Sequence, residues 1–250
     1  MVESGHVAAD AWSPHGLALW GFFLGDSEAR VIVRDEEGEE ETVPVQVFFR
    51  DPASFSALEE AALDLCRGRV LDVGAGAGCH SLVLQERRLA VCAIDVAPEA
   101  VELMRRRGVQ EAHRADRVGG QAEPVDTLLM LMNGVGIVGN LAGLRRFLRE
   151  VPRLLRPGGQ ILLDSYDPEC SEDSESAAVI ASSPAGYIGE MRFQLEYKGR
   201  RGAVYEWLFV DLPTLRMHAE AEGWSCEGIW HEAEGHYLAR LTRSATAGSV

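Results

Sequence analysis

The sequence predicts an α/β protein built on a doubly wound parallel sheet. Two observations carry this prediction. From residue 56 to residue 167, apolar runs alternate with amphipathic stretches, as strands alternate with helices in βαβ units. The apolar runs are also continuous, which is typical of strands covered by helices on both faces. With 250 residues, of which 46% are hydrophobic, the chain is long enough to bury a large core.

The segment before this region predicts a helix followed by a β-hairpin. Ser13 is a candidate N-cap, Pro14 suits the first helical position, and apolar residues follow at helical spacing up to Gly25. Two β-like runs come next, "ARVIVRD" and "TVPVQVFFR". The acidic stretch "EEGEEE" separates them, so we expect a hairpin with a charged, solvated tip.

The core region opens with a capped helix. In "SALEEAALDLC", Ser56 and Glu59 have the spacing of a capping box, and apolar residues recur every three or four positions. The elements that follow are strand "RVLDVG", helix "HSLVLQERR", strand "AVCAIDV", helix "PEAVELMRRRG", strand "EAHRAD", strand "DTLLMLMN", helix "LAGLRRFLREVPRLL", turn "RPGG" and strand "QILLDSYD".

After Asp167 the chain becomes polar and rich in serine up to Gly186, which predicts a loop. Then follow an antiparallel strand pair, "EMRFQLEYKG" with "AVYEWLFVD", the helix "PTLRMHAEAEG", and the strands "SCEGIWHE" and "HYLARLTR". We therefore divide the chain into an N-terminal helix and hairpin (1–52), a ligand-binding α/β core (53–167), an insert with a strand pair (168–210), the last helix and strands of the core sheet (211–243), and a tail (244–250). We expect the first and third of these parts to cover the ligand site.

Charge and composition exclude several classes of function. The net charge is −15 and Lys198 is the only lysine, so the surface repels phosphate backbones and nucleic acid is not the expected partner. No run of 18 apolar residues occurs and the N-terminus lacks the features of a signal peptide, so we expect a cytoplasmic protein without membrane spans. The five cysteines form no C-x-x-C pair, so neither a disulfide framework nor a bound metal is expected.

The stretch "VLDVGAGAGCH", residues 70–80, predicts a ligand-binding loop. It is an apolar strand followed by Gly74, Gly76 and Gly78, and a helix begins directly after it. Glycines at the end of such a strand let the backbone approach a ligand closely. Asp95 ends the next strand 19 positions after Gly76, about the offset at which a carboxylate binds ribose hydroxyls. The combination indicates a cofactor that contains adenosine.

Two residues distinguish between adenosine cofactors. Cys79 occupies the position of the third glycine in the dinucleotide fingerprint, so the pattern for a pyrophosphate is incomplete. Asp72 lies two residues before the first glycine, where a carboxylate opposes a pyrophosphate but suits the cationic amino group of a methionine moiety. The charge therefore favours S-adenosylmethionine over NAD(P).

Residues 66–167 resemble the class I S-adenosylmethionine-dependent methyltransferases. The stretch from "VLDVGAGAGCH" to "RRRGV" is similar to the first two motifs of that family, and "RADRV" and "LLRPGGQILLDSYD" are similar to its later motifs. The resemblance implies a Rossmann-like sheet whose final strand is antiparallel. It also implies methyl transfer by in-line displacement to an oxygen, nitrogen or carbon of a small molecule, with S-adenosylhomocysteine as product.

The resemblance also assigns the residues that bind the cofactor. It implies contacts to the methionine end from Asp72, Gly74, Ala75, Gly76 and Gly78. It implies that Asp95 binds the ribose hydroxyls, Val96 the adenine face, and Asp116, with Arg117 beside it, the adenine amino group. After the fourth strand, Met132, Asn133 and Gly134 occupy the place where the family contacts the methionine portion.

Candidates on the acceptor side follow from their positions at strand ends and in the N-terminal segment. Tyr166 and His236 are the candidate catalytic residues, and the weaker candidates are His231, Trp20, Phe49 and Arg50. Cys79 and His80 open the helix beside the glycine loop, where helix packing explains them equally well.

Three functions remain open at this point. The leading one is a methyltransferase with a small-molecule acceptor, ahead of a protein acceptor. "MNGVGIVG" lacks the Asn-Pro-Pro-aromatic and Pro-Cys patterns of enzymes that methylate nucleic-acid bases. The alternatives are a nicotinamide-dependent oxidoreductase and a non-catalytic protein that binds S-adenosylmethionine, because displacement on a sulfonium requires no diagnostic catalytic residue.

Overall fold

The computed structural model describes residues 9–115, 123–170, 186–232 and 235–243. The α-helices in these ranges are α1 (Ala9–Phe23), α2 (Ala57–Leu65), α3 (Cys79–Glu86), α4 (Pro98–Arg107), α5 (Leu141–Glu150) and α6 (Leu212–Ala221). The strands are β1 (Arg30–Arg34), β2 (Glu40–Pro44), β3 (Arg69–Val73), β4 (Ala90–Asp95), β5 (Ala112–Arg114), β6 (Val125–Met130), β7 (Leu155–Tyr166), β8 (Glu190–Tyr197), β9 (Arg200–Arg201), β10 (Tyr205–Leu208), β11 (Trp224–His231) and β12 (His236–Arg243). None of the helices in the described ranges is long and apolar enough to span a membrane.

The larger sheet has seven strands in the order β11-β12-β7-β6-β3-β4-β5. Strands β3 to β7 are parallel, whereas β12 runs antiparallel to β7 and β11 antiparallel to β12. The predicted doubly wound sheet with an antiparallel final strand is therefore confirmed. The strand order reverses at β3, which pairs with both β4 and β6, and such a reversal opens a crevice at the carboxyl ends of the strands.

Helices cover both faces of this sheet, as the continuous apolar strands predict. Leu128 and Leu129 are consecutive on β6, so their side chains point to opposite faces. Leu128 packs in one cluster with Leu144 of α5, and Leu129 packs in another with Leu63 of α2. All four side chains are at most 1% exposed, so β6 is buried from both sides.

The smaller sheet joins two segments that the sequence analysis treats as separate hairpins. Its strand order is β10-β8-β1-β2, with β9 paired to β8, and every pairing is antiparallel. The connection runs through β1 and β8, where Val33 lies opposite Leu195. The N-terminal hairpin and the strand pair of the insert thus form one continuous sheet.

Local boundaries differ from the predictions at two places. The first helix is already formed at Ala9 and contains Pro14 in its interior, so the expectation of Ser13 as N-cap is wrong. The run "TVPVQVFFR" is not one strand, because β2 ends at Pro44 and residues Val45–Phe48 form a 3-10 helix. Proline has no N–H to continue the strand ladder. The capping box of Ser56 and Glu59 at the start of α2 is confirmed.

Helix α1 lies directly against the start of α4. A Cβ atom on Gly16 would come within 2.9 Å of the Cβ of Ala97 and of Oε2 of Glu99, so the two backbones approach as closely as a glycine permits. Leu19 of α1, Val31 of β1 and Leu103 of α4 belong to one buried cluster. The N-terminal segment is therefore packed onto the α/β core through this contact.

We expect Gly16→Val to destabilise the protein. The added side chain overpacks the contact between α1 and α4, which costs about 1–3 kcal/mol of unfolding free energy. Urea unfolding measures the change. Ser13→Val is the matched control, because it places the same side chain at a partly exposed position of the same helix. Equal stability of the two variants would contradict the close approach at Gly16.

Candidate functional site

A cavity of about 270 Å³ lies where the carboxyl ends of the parallel strands meet the smaller sheet. Its residues fall into two sets, which we call the core wall and the outer wall. The core wall comes from the ends of β3, β4, β5 and β6, the segments that follow them and the start of α3. It consists of Asp72, Val73, Gly74, Ala75, Gly76, Ala77, Cys79, His80, Ile94, Asp95, Val96, Ala115, Leu131, Met132, Gly134 and Ile137. The outer wall comes from α1, the smaller sheet and the 3-10 helix and consists of Trp12, His15, Val31, Val33, Val43, Phe48, Leu195, Tyr205 and Trp207.

Asp95 fixes the glycine-rich loop in the core wall. Its Oδ2 accepts a hydrogen bond from the N–H of Gly76 at 2.9 Å, and its Oδ1 accepts one from Ala97 at 2.8 Å. Gly76 has a φ of 55°, and a Cβ there would meet nothing closer than 4.0 Å, so the loop is left-handed and open to the cavity at this point. Burial raises the pKa of Asp95 to about 6, although hydrogen bonds from the backbone of Ala97, Gly76 and Val96 lower it.

Asp72 is a second buried carboxylate in the same wall. It is 3% exposed, and Ser81 Oγ donates a hydrogen bond to its Oδ2 at 2.5 Å. Burial raises its pKa, and within the described ranges no arginine or lysine forms an ion pair with it. A cationic group in the cavity would therefore stabilise the charged form of Asp72.

The loop after β6 has a strained backbone beside the cavity. Met132 and Asn133 both adopt the left-handed conformation, with φ values of 62° and 57°. Such residues cost on the order of 1 kcal/mol or more each and are concentrated at functional sites. Asp164, at the end of β7, accepts the N–H of Gly134 at 3.3 Å, and burial raises the pKa of Asp164 to about 6. Oδ1 of Asn133 is buried and has no hydrogen-bond partner among the described residues.

A charged network of Arg50, Glu59 and His80, all three named in the sequence analysis, adjoins this loop. Arg50 donates to both carboxylate oxygens of Glu59, at 2.9 and 2.6 Å, and Nε2 of His80 lies 2.7 Å from Glu59 Oε1. Burial opposes the charge on Glu59, but hydrogen bonds from His80, the Ser56 N–H and Arg50 lower its pKa to about 2. His80 lines the cavity, whereas Arg50 reaches its rim, with Nη2 3.8 Å from the sulfur of Met132.

The smaller sheet presents one face to the cavity. Val31 lies opposite Val43, Val33 lies opposite Leu195, and residues two apart on a strand share a face. Trp207, on β10, lies against the loop after β6, since a Cβ on Gly136 would fall 2.0 Å from its indole ring. The outer wall is therefore apolar and in contact with the core wall.

His15 is a cavity residue that the sequence analysis missed. It is 8% exposed, and its ring meets the rings of Phe48 and Trp12 edge-to-face at centroid distances of 4.7 and 5.6 Å. Burial lowers its pKa to about 4, so the imidazole is neutral at pH 7. The sequence contained one signal for it, because His15 is three residues from Trp12 and the two would share a helix face. The predicted first helix started at Ser13, however, and so did not include Trp12.

The structure brings most of the predicted cofactor residues together. Those that line the cavity are Asp72, Gly74, Ala75, Gly76, Asp95, Val96, Met132 and Gly134. Gly78 is the N-cap of α3 and Asn133 lies between two lining residues, but neither lines the cavity itself. Asp116 and Arg117 lie outside the described residues.

The predicted catalytic residues are not in the cavity. Tyr166 and His236 are opposite each other on β7 and β12, and the ring of Tyr166 packs against Phe209 at 4.5 Å and His236 at 5.4 Å. His231 is exposed on β11. We therefore assign no role in the reaction to these three side chains.

The aromatic candidates of the N-terminal segment also lie elsewhere. Trp20 is covered by the guanidinium of Arg106 at 5.2 Å, and Phe49 by that of Arg107 at 4.9 Å. Trp12, on the same helix as Trp20, and Phe48, which precedes Phe49 in the chain, line the cavity instead. The shift at Phe48 follows from the 3-10 helix, which ends the alternation that a strand would have imposed.

One cluster of possible metal ligands occurs in the described ranges. Ligand atoms of Cys92, Glu111 and His113 lie within 4.8 Å of one another. Arg69 already neutralises Glu111 by two hydrogen bonds of 2.8 Å, and burial raises the pKa of the Cys92 thiol to about 12. In the described structure the carboxylate is thus paired with an arginine and the thiol is protonated at neutral pH, so we assign no metal to this cluster.

Comparison with known proteins identifies the family. Residues 70–159 match the family described as "Methyltransferase domain". A solved S-adenosylmethionine-dependent methyltransferase from Bacteroides fragilis, in complex with S-adenosylhomocysteine, is 37% identical in sequence and superposes with a TM-score of 0.84 over 98% of this chain and 100% of that chain. The chain belongs to the S-adenosylmethionine-dependent methyltransferases. The predictions of family, fold and cofactor are thereby confirmed.

Two curated methyltransferases are also similar to this member of the family. A ubiquinone biosynthesis O-methyltransferase from Xanthomonas oryzae is 31% identical over 138 residues, which are 52% of this chain and 54% of the relative. A demethylmenaquinone methyltransferase from Tropheryma whipplei is 28% identical over 183 residues, 62% of this chain and 74% of the relative. The chain thus spans about half the length of the first curated relative.

We expect Glu59→Gln to destabilise this methyltransferase by about 3 kcal/mol at pH 7, because it leaves Arg50 and His80 without their shared carboxylate. The folded pKa of Glu59 is about 2, below its ordinary value of 4.5. Its stabilising contribution is therefore present above pH 4.5 and is lost as the pH falls towards 2. Urea unfolding at pH 7 and pH 3 should show a smaller difference between wild type and variant at pH 3.

The matched control is Glu60→Gln, which changes the next residue of the same helix, where the side chain is exposed. It should change stability by less than about 0.5 kcal/mol at either pH. If Glu59→Gln were as mild as Glu60→Gln, the network would contribute nothing to stability.

Proposed function

We propose that the protein transfers a methyl group from S-adenosylmethionine to a small molecule that binds against the outer wall. The observation that carries the proposal is one cavity with two chemically different walls. The core wall offers a glycine loop and two buried carboxylates, and the outer wall offers aliphatic and aromatic side chains. Such a cavity holds a polar cofactor and an apolar acceptor side by side.

The core wall fits the cofactor on four counts. The loop at Gly76 is open, so a ligand can approach its backbone. Asp95 is buried with a raised pKa, and two ribose hydroxyls would supply further donors to its oxygens. Asp72 is buried without a cationic partner in the described ranges, and the amino group of the methionine moiety would supply one. Val96 provides an apolar surface for the adenine.

S-adenosylmethionine supplies a methyl group on a sulfonium, which is the electrophile. The protein's own contribution is to hold the two reactants in line and to exclude water. The left-handed turn at Met132 and Asn133, held by Asp164, fixes the loop between the two walls. Trp207 contacts this loop and lines the cavity on that side.

A small acceptor is favoured over a macromolecule because the outer wall closes on the core wall. The family membership argues against the nicotinamide-dependent alternative. A non-catalytic binder remains the second candidate, and turnover distinguishes the two. Three statements stay predictions: that the methylated atom is an oxygen, nitrogen or carbon, that the protein is cytoplasmic, and that the chain divides into five parts.

The function is tested by measuring S-adenosylhomocysteine formed from S-adenosylmethionine in the presence of a cell extract that has been separated by size. We expect product only with the low-molecular-weight fraction. Product formed only with the macromolecular fraction would contradict a small-molecule acceptor, and no product with either fraction would favour the non-catalytic binder.

Affinity for S-adenosylhomocysteine should depend on pH through Asp95. Its pKa in the free protein is about 6, and hydroxyl donors favour the ionised form, so the affinity should fall about tenfold between pH 7 and pH 5. Asp95→Asn should bind at least about tenfold more weakly at pH 7 and show a flatter pH profile, because one acceptor oxygen is replaced by a donor. Calorimetric titration measures both effects.

Gly76→Val should abolish binding, since its side chain would enter the open part of the loop and valine disfavours a positive φ. The control for Asp95→Asn is Asp64→Asn, which makes the same substitution on the exposed surface of α2. This control should bind S-adenosylhomocysteine like wild type. Unchanged affinity in both Asp95→Asn and Gly76→Val would remove the cofactor assignment.

A further inference from the structure

The outer wall contains few groups that can form hydrogen bonds. In the described lining, the residues that carry such groups are Trp12 and Trp207 with their indole N–H, His15 with its imidazole and Tyr205 with its hydroxyl. Among the residues that the structure describes, buried Nε1 of Trp12 has no hydrogen-bond partner and none bonds to the His15 ring. An indole N–H that is buried without a partner costs free energy that a ligand can recover.

Trp12 and His15 are held close together. They are three residues apart on α1, so they lie on one face of the helix, and their ring centroids are 5.6 Å apart. Phe48 fixes the imidazole by an edge-to-face contact at 4.7 Å. One small ligand can therefore reach both groups at once.

The surroundings favour a flat ligand without charge. Trp12 is flanked by Tyr205 at 5.0 Å and Trp207 at 5.5 Å, so aromatic faces dominate this part of the wall. Burial keeps both His15 and Tyr205 neutral, by lowering the pKa of the first and raising that of the second. An acceptor with a full charge would be buried here without a counterion, which is costly.

We propose that Trp12 and His15 are the polar anchor for the methyl acceptor, and that the acceptor is a neutral planar ring with a hydroxyl group beside a second oxygen atom. His15 accepts the hydrogen bond of the hydroxyl, and the Trp12 N–H donates to the neighbouring oxygen. This inference rests on the proposed function and names the class of acceptor.

The role of His15 in this arrangement is to orient the hydroxyl. An imidazole with a pKa near 4 binds a proton weakly, whereas a hydroxyl on an aromatic ring has a pKa of about 10. The proton therefore stays on the hydroxyl in the bound state. The neutral imidazole offers one lone pair, which fixes the direction of the O–H group and hence of the oxygen.

The test uses calorimetric titration of the protein saturated with S-adenosylhomocysteine. The probes are 2-methoxyphenol, which has both the hydroxyl and the neighbouring oxygen, and 1,2-dimethoxybenzene, which lacks the donor. We expect wild type to bind 2-methoxyphenol about fivefold to tenfold more tightly than 1,2-dimethoxybenzene, the effect of one hydrogen bond. In His15→Phe the two probes should bind with equal affinity, and His15→Gln should restore part of the preference.

The controls separate this effect from a general loss of structure. His231→Phe makes the same change at an exposed histidine outside the cavity and should keep the wild-type preference. Trp12→Phe should weaken both probes about fivefold, because each offers an ether oxygen to the indole. Affinity for S-adenosylhomocysteine, measured first for every variant, reports whether the fold is intact.

Two results would overturn the assignment. One is that 2-methoxyphenol does not bind to wild type loaded with S-adenosylhomocysteine. The other is that His15→Phe retains the preference between the probes. Either result leaves the proposed function standing as long as S-adenosylhomocysteine binds, whereas failure of wild type to bind S-adenosylhomocysteine removes the proposed function itself.

Discussion

The carboxylate of Asp95 is the constraint on which the arrangement of the cavity depends. One oxygen holds Gly76 in the loop after β3, and the other holds Ala97 at the start of α4. Ala97 is also the residue against which Gly16 of α1 packs, so the same carboxylate fixes the platform that carries Trp12 and His15. The core wall and the outer wall of the cavity are thus both positioned by one buried ionisable group, whose raised pKa is the cost of that burial.

The parallel core could be predicted because its signals are local. Leu128 and Leu129 belong to a continuous apolar run, and such a run specifies burial on both faces without reference to any other segment. The capping box of Ser56 and Glu59 is contained within four residues and determined the start of α2. The loop "GAGAG" and Asp95 are joined by the regular geometry of one βαβ unit, so their proximity also follows from the sequence.

The outer wall could not be predicted in the same way, since it depends on pairing between distant segments. Nothing in the residues around Val33 indicates that Leu195 lies opposite, and the ion pair of Arg34 with Glu196 that accompanies this register joins positions 162 residues apart. The sequence singled out Phe49, but Phe48 lines the cavity, because residues Val45–Phe48 form a 3-10 helix instead of continuing the strand. The predicted start of α1 likewise hid two lining residues, because Trp12 and His15 share a helix face only if the helix begins before Trp12.

The pairing of β1 with β8 also determines the order in which the smaller sheet can form during synthesis. A ribosome delivers β1 long before β8, so the nascent protein carries the hairpin of β1 and β2 with one edge unpaired while the parallel core is already being assembled. Exposed edges of this kind invite association with other chains, and the charged Arg34 and the acidic turn that follows it discourage such pairing. A polypeptide released after β7 would contain the glycine loop and Asp95 but would lack Leu195, Tyr205 and Trp207. Val31 and Val33 would then form an exposed apolar surface that can associate with other chains.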